Sequence, residues 1–266
     1  ILLKAYTYTK VIPSKLDRNI KTLQKLFAED ANVYDDKRFG SVSGRLYNEA
    51  HYAALSKMLY SGAKLEDSFP KNIRVLDVAM GTGRSSVRLS TEGVDIIGID
   101  VTIEMMKIAK SKTVPGTNLH LIQGNAFQLP FQRDSFDAVI CCRMLQMIPL
   151  KNYGNFGTEV SRVLRPNGTL IVELWNKSYQ TIRCLGRKKP NTWGLSDTFI
   201  TPSKSQYLFG EKYQDCEIAG LGFPLIFPLL GRISETFSLN LYSKLTTNPL
   251  TKSWGETFFA KYRHKK

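Results

Sequence analysis

One stretch of sequence decides the fold: Asn72-Ile73-Arg74-Val75-Leu76-Asp77-Val78-Ala79-Met80-Gly81-Thr82-Gly83-Arg84. An apolar run ends at the acidic Asp77 and breaks into alternating small residues, which is typical of a strand, a tight turn and a helix start. Gly81 and Gly83 lack a Cβ, so the backbone can turn sharply there and approach a ligand closely. The following helix presents unpaired N–H groups and a partial positive charge. The stretch therefore predicts a loop that binds a carboxylate, ribose or phosphate.

The spacing of the small residues separates two cofactor classes. A dinucleotide site needs G-x-G-x-x-G, and here Ser86 stands three residues after Gly83. The pattern is instead Asp77-x-Ala79-x-Gly81-x-Gly83, which resembles the first motif of the class I S-adenosylmethionine-dependent methyltransferases. That family usually has a glycine where this chain has Ala79. The resemblance implies that the four motif residues bind S-adenosylmethionine.

A second apolar run, residues 94–100, also ends in a carboxylate, Asp100. Its distance from the glycines is that at which such folds place the acid that accepts hydrogen bonds from both ribose hydroxyls. A helix-capping role for Asp100 is compatible with this one. The next segment resembles the family's sequence after this acid, which implies that Val101 and Met105 pack around the adenine.

Two further elements follow in the family's order. Residues 120–131 resemble its x-G-D-A-x-x-L-P-F stretch, which implies that Asn125 and Ala126 contact the adenine. Asn125 replaces an Asp, but its side-chain oxygen can still accept a bond from the exocyclic amine. Residues 134–142 predict a fourth strand, and the L-x-P-x-G-x-L-like stretch from Leu164 precedes a fifth. The resemblance places Cys142 at the end of the fourth strand, beside the cofactor.

The whole chain predicts one α/β protein. Its 266 residues, 42% of them hydrophobic, can bury a full core. The resemblance implies a doubly wound, mostly parallel, seven-stranded Rossmann-like methyltransferase sheet. We expect an N-terminal helical cap over residues 1–70, a methyltransferase domain over 71–266, and within it a basic lid insertion over 176–205. Residues 216–223 are expected to end a helix, and 223–230 to form the sixth strand.

Several features bound the setting of the protein. No apolar run approaches the about 18 residues that a membrane span needs. The four cysteines, including the adjacent Cys141 and Cys142, lack metal-ligand spacing, and the three histidines are scattered. We therefore expect reduced thiols, no metal site and a cytoplasmic location. The sequence specifies no oligomeric state, and its start at Ile1 fits a trimmed, processed or excised chain.

The net charge of +14 bears on which class of acceptor the protein methylates. Enzymes of this family that methylate exocyclic adenine amines usually carry a [DN]-P-P-[YF] tetrapeptide, and cytosine C5 enzymes need a nucleophilic Cys after Pro. This chain has Cys142-Arg143-Met144-Leu145 at the first place, and no Cys follows a Pro. We expect a small organic acceptor, such as a natural product, quinone, lipid-linked or sugar-like molecule, with an anionic one favoured by the charge. An RNA or protein methyltransferase is the alternative. A third possibility is a non-enzymatic subunit, and the intact motifs argue against it.

The chemistry needs few residues, because the sulfonium methyl group is already electrophilic. The enzyme mainly has to align the reactants and exclude water. An oxygen or nitrogen acceptor must also lose a proton, and His51 and Glu173 are candidate general bases, with structural roles open for both. Residues 31–35 resemble a segment that closes over the cofactor in quinone-biosynthesis methyltransferases. That resemblance implies contact of Tyr34 with the methionine carboxylate and a nearby charge from Arg38; a solvated helix end is the alternative.

Overall fold

The computed structural model describes five stretches of the chain, residues 15–61, 73–184, 198–222, 234–248 and 251–265. Among the helices in these stretches, none has both the length and the apolar character needed to cross a bilayer. Strands and helices alternate along most of the described chain, as expected for a doubly wound protein.

A single sheet forms the centre of the molecule. Its strands are β1 (Arg74–Val78), β2 (Asp95–Asp100), β3 (Leu119–Gln123), β4 (Phe136–Cys141), β5 (Leu164–Asn176), β6 (Phe199–Ile200), β7 (Tyr213–Leu221) and β8 (Thr257–His264). Seven strands follow the order β3-β2-β1-β4-β5-β8-β7, and the two-residue β6 pairs with the end of β5. β8 is antiparallel to β5 and β7, whereas the pairings among β1 to β5 are parallel. The predicted doubly wound, mostly parallel sheet is confirmed.

The helices are α1 (Lys15–Asp30), α2 (Tyr34–Phe39), α3 (Val42–Tyr60), α4 (Ser86–Thr91), α5 (Ile103–Ser111), α6 (Tyr153–Val163), α7 (Lys177–Cys184), α8 (Pro202–Ser205) and α9 (Glu235–Thr247). The first three lie within the segment expected as a helical cap. α1 packs on α5, whereas α3 packs on β5, β7 and α9. The domain boundary at residues 70 and 71 stays a prediction.

Both faces of the sheet are covered, which explains the apolar strands. Leu76 and Val78 of β1 join the core cluster on one face, whereas the preceding Val75 joins the cluster on the other. Parallel strands buried on both faces read as continuous apolar runs, as this one does. β1 is followed along the chain by β2 and β3 on one side and later by β4 and β5 on the other. The carboxyl ends of β1 and β4 therefore flank a crevice at the point where the winding reverses.

The prediction for residues 216–223 was wrong. Residues up to Leu221 belong to strand β7, which pairs with β8 along its length at the edge of the sheet. Cys216, Glu217 and Ile218 alternate between apolar and polar, which is the strand period that the family-like helix ending obscured. Residues 223–230, expected as the sixth strand, lie outside the described stretches.

The insertion expected over residues 176–205 contains α7, β6 and α8 in its described parts. Thr198 anchors its second half, because its backbone N–H donates to Gln146 O and its hydroxyl to Ile148 O, both at 2.8 Å. The basic cluster Arg187-Lys188-Lys189 lies outside the described stretches. Its role as a lid therefore stays a prediction.

Candidate active site

A main cavity lies at the carboxyl ends of β1, β2 and β4, against helix α1. It contains about 760 Å³ of space that protein atoms leave unfilled, part of it open to solvent. Its lining comes from α1, the glycine loop (residues 79–83), the junction of β2 and α5, residues 124–127 and the residues after β4. This is the position at which open α/β sheets bind ligands.

Most of the cofactor residues predicted from the sequence line this cavity: Tyr34, Ala79, Gly81, Asp100, Val101, Met105, Asn125, Ala126 and Cys142. Asp77 lines a smaller adjoining cavity, which shares Tyr34, Gly81 and Arg143 with the main one. Gly83 has a packing role, because a Cβ there would lie 2.9 Å from the Cβ of Ala109 on α5. The structure thus brings the predicted residues together around one site.

The glycine loop has a left-handed backbone, with φ of 57° at Ala79, 57° at Gly81 and 70° at Gly83. A Cβ built on Gly81 would meet no atom within 4 Å, so it would occupy open space in the cavity. The loop is therefore shaped for a ligand that approaches its backbone closely. Ala79 adopts the same conformation with a side chain, at a strain of about 1–2 kcal/mol.

Asp100 holds the site together and also faces it. Gly81 N donates to its Oδ2 and Thr102 N to its Oδ1, each at 2.8 Å. Burial raises the pKa of Asp100, and these backbone hydrogen bonds oppose that rise. Each carboxylate oxygen can accept a further bond. Asp100 can therefore accept two ribose hydroxyls while it fixes the glycine loop and the start of α5.

The side chains of Asn125 and Asp77 are both engaged within the protein. Phe127 N donates to Asn125 Oδ1 at 2.9 Å, and that oxygen keeps a second acceptor position for an adenine amine. The Ser86 hydroxyl donates to Asp77 Oδ2, which fastens the end of β1 to the start of α4. Burial raises the pKa of Asp77 to about 7, although the bond from Ser86 opposes the shift.

Polar contacts attach the N-terminal helices to the glycine loop, and sequence reasoning missed them. Thr82 Oγ1 donates to Asp35 Oδ1 at 2.8 Å. Lys112 Nζ bonds Asp35 Oδ2 and donates to Thr82 O at 2.9 Å. On α1, Gln24 Nε2 donates to Val101 O at 2.7 Å. Because these partners are far apart in the chain, no local pattern could have indicated them.

Tyr34 lies where the main and adjoining cavities meet. The Arg38 guanidinium sits 4.0 Å from the centre of its ring, but Arg38 Nη1 is also 2.6 Å from Asp30 Oδ2. The charge of Arg38, which was expected near the cofactor, is thus paired with Asp30. Arg84 Nη1 donates to Asn48 Oδ1 at 2.7 Å from the rim of the adjoining cavity.

The two candidate general bases form one buried pair. His51 Nε2 lies 3.1 Å from Glu173 Oε2, with side-chain exposures of 1% and 0%. The Tyr47 hydroxyl donates to Glu173 Oε1 at 2.9 Å. Burial opposes ionisation of Glu173, but His51, Arg143 and Arg84 outweigh it and lower its pKa to about 2. Burial and Arg84 lower the pKa of His51, so we interpret the pair as neutral imidazole donating to carboxylate.

Cys142 lies between this pair and the cavities. Its Sγ and the facing atoms of His51 and Glu173 all lie within 4.8 Å of one another, close enough to raise the question of a metal. Burial raises the pKa of the Cys142 thiol well above its usual value. Both Glu173 oxygens already accept hydrogen bonds. We therefore interpret the cluster as a hydrogen-bonded support beneath the site.

Comparison with known proteins bears on this geometry. Residues 75–168, which span the glycine loop, Asp100, Asn125 and Cys142, match the protein-family model described as "Methyltransferase domain". The matched residues form a class I S-adenosylmethionine-dependent methyltransferase domain. The resemblance drawn from the sequence motifs is thereby confirmed.

Relatives of this methyltransferase domain include a "Putative methyltransferase YqeM" of Bacillus subtilis, 34% identical over 139 residues, or 51% of this chain and 53% of that protein. A "Demethylmenaquinone methyltransferase" of Bacillus licheniformis is 31% identical over 134 residues, or 49% of this chain and 52% of that protein. The matched part of the chain spans about half the length of these curated relatives.

Solved structures extend the likeness of fold beyond the matched sequence. A putative methyltransferase of Haloferax volcanii, in complex with the Trm112 activator, superposes with a TM-score of 0.63 at 16% identity and covers 90% of this chain and 98% of its own. Magnesium protoporphyrin IX methyltransferase of Synechocystis, with bound S-adenosylhomocysteine, gives 0.62 at 13% identity, covering 93% and 100%. At these identities the comparison establishes the fold.

Proposed function

We propose that the chain transfers the methyl group of S-adenosylmethionine to an oxygen, nitrogen or carbon nucleophile of a small organic acceptor, releasing S-adenosylhomocysteine. One observation carries the proposal. The main cavity is lined by Asp100, Asn125 and Gly81 and also by the apolar side chains of Met144, Met147 and Ile148. Polar groups suited to a nucleoside and an apolar surface suited to an organic acceptor thus line one cavity.

The residues present fit the cofactor. Asp100 would accept the ribose hydroxyls, while Val101, Met105 and Ala126 would enclose the adenine with Asn125 at its amine. Gly81 leaves the space in which a ligand can lie against the loop backbone. When bound, the cofactor supplies an electrophilic methyl group. The chain would contribute orientation and exclusion of water, with Leu23 and Phe27 of α1 forming part of the cavity wall.

The acceptor region favours an organic molecule with an apolar body. Met144, Met147 and Ile148 line it from the segment after β4, and Ile20 from α1. Methionine side chains adapt to irregular apolar surfaces, which suits a ring system. The demethylmenaquinone methyltransferases among the relatives make a quinol the first acceptor class to test.

We propose a role other than general base for His51 and Glu173. His51 and Glu173 are buried against each other, and a base must lie within hydrogen-bond reach of the proton that it removes. The pair instead holds Cys142 and Arg143 in position at the cavity. An acceptor that is already ionised, or a carbon nucleophile of a quinol anion, would need no closer base.

A methyl-transfer assay with labelled S-adenosylmethionine tests the function. The acceptors are a soluble naphthoquinol, total RNA and an unmodified protein mixture, each over a salt series. We expect label on the naphthoquinol or a related small molecule, with little dependence on salt. Salt-sensitive labelling of RNA or protein would favour the alternative raised by the net charge of +14. Cofactor binding without transfer to any acceptor class would indicate a non-enzymatic subunit.

A further inference from the structure

Arg143 is a charged residue of the site to which the proposed function assigns no ligand. It follows β4 directly after Cys142 and lines both the main and the adjoining cavity. Its φ is 61°, a left-handed conformation that is uncommon outside glycine. Such backbone strain persists where surrounding structure enforces it, and it is concentrated at functional sites. Here it carries the side chain to the junction of the two cavities.

The other charged groups that line these cavities already have protein partners. Asp77 accepts from Ser86, Asp100 from Gly81 and Thr102, and Arg84 donates to Asn48. Across the described part of the chain, the Arg143 guanidinium has no hydrogen bond and no ion pair, and the Phe39 ring lies 6.0 Å away. Burial opposes its charge, but Glu173 and Tyr47 raise the pKa of Arg143, so the guanidinium stays ionised.

The half-buried guanidinium has N–H groups that no described protein atom accepts, and a sulfonium bound nearby would add repulsion of like charges. One carboxylate would accept from these N–H groups and offset that repulsion. The planar guanidinium binds a carboxylate through two parallel hydrogen bonds. We propose that Arg143 binds a ligand carboxylate, supplied by the amino-acid end of the cofactor or by an anionic acceptor. The cofactor source rests on the proposed function.

Calorimetric titration with two probes separates these sources. S-adenosylhomocysteine has the amino-acid carboxylate, whereas 5′-methylthioadenosine has the same nucleoside and thioether without it. If the cofactor is the source, Arg143→Gln should weaken S-adenosylhomocysteine binding at least about tenfold and leave methylthioadenosine binding unchanged. Arg143→Lys, which keeps the charge but not the planar fork, should fall between. Arg84→Gln removes an equal charge from the adjoining cavity and controls for long-range electrostatics.

The acceptor source has its own pair of probes. 2-Naphthoate and the neutral 2-naphthamide are titrated into the protein with and without S-adenosylhomocysteine. If the acceptor supplies the carboxylate, the wild type should prefer naphthoate about tenfold, and Arg143→Gln should abolish that preference. Thermal melts show whether each variant is folded, and Arg143→Lys serves if the Gln variant is not.

Two results would overturn the proposal or its foundation. If Arg143→Gln changes neither the ratio of the two nucleoside affinities nor the naphthoate preference, Arg143 binds no ligand carboxylate. If Arg84→Gln lowers the ratio of the two nucleoside affinities as much as Arg143→Gln does, a direct contact between Arg143 and the carboxylate is also refuted. If the wild type binds neither nucleoside, the proposed function fails, and the naphthoate pair alone then decides the role of Arg143.

Discussion

Ala79 and Gly81 have the same backbone conformation, yet the structure gives them different tasks. Both have φ of 57° and line the cavity, but the Ala79 side chain packs against the core cluster, whereas a Cβ on Gly81 would take open space. The family usually has glycine at both positions. The replacement at Ala79 is tolerable because its cost is local strain, whereas a side chain at Gly81 would also enter the cavity.

This difference predicts opposite outcomes for two substitutions. Ala79→Gly relieves about 1–2 kcal/mol of backbone strain. It also raises the conformational entropy of the unfolded chain, which lowers the stability of the folded state by about 0.5–1 kcal/mol. We expect its urea unfolding free energy to stay within about 1 kcal/mol of wild type, with unchanged S-adenosylhomocysteine affinity. Gly81→Val should abolish binding while the protein still folds. Retained binding in Gly81→Val would mean that the ligand does not approach the loop.

Asp77 makes stability depend on pH. Burial raises its pKa to about 7 from 3.8. The unfolded chain therefore loses this proton first as pH rises, so Asp77 costs stability progressively between about pH 4 and pH 7. Asp77→Asn keeps an acceptor for Ser86 and removes the titration. We expect the variant to gain stability relative to wild type, by a few kcal/mol, between pH 4 and pH 8 in urea unfolding. A constant difference across that range would show that Asp77 is ionised when buried.

At the scale of elements, the site depends on helices that precede the sheet in the chain. α1 contributes to the cavity wall and is attached by Gln24, while Asp35 of α2 links the glycine loop to Lys112 beyond α5. The sequence predicted a helical cap over residues 1–70, but not which surface α1 covers. Packing across more than seventy residues of separation determines that surface.

The attachment of α2 can be tested with a matched pair of variants. Asp35→Ala removes the partner of both Thr82 and Lys112, so the glycine loop should loosen and S-adenosylhomocysteine affinity should fall several-fold. Because the pair is partly exposed, the loss of stability should be about 1 kcal/mol or less. Glu49→Ala breaks the exposed pair with Arg88, away from the loop, and should leave affinity unchanged. Equal effects in both variants would contradict a specific attachment.

For the whole molecule, the sequence predicted the half of the sheet that carries its motifs. The glycine loop, the acid at Asp100 and the strands through β5 are encoded by short runs, and the resemblance of these runs to the family predicted the fold and the cofactor residues that line the cavity. Strand β7 was missed because its pairing with β8 is long-range. Arg143 and the His51–Glu173 pair were also beyond prediction as a group. Their relation depends on β4, β5 and α3 meeting in space.

The central claim is that this domain binds S-adenosylmethionine through Asp100, and calorimetric titration with S-adenosylhomocysteine tests it most directly. We expect one site per chain in the wild type. Asp100→Ala should lose roughly 1–3 kcal/mol of binding free energy, because the ribose hydroxyls lose their acceptor. Asp95→Ala, at the other end of β2 and paired with Arg74, is the control and should bind as wild type. No binding by the wild type, or unchanged affinity in Asp100→Ala, would contradict the account.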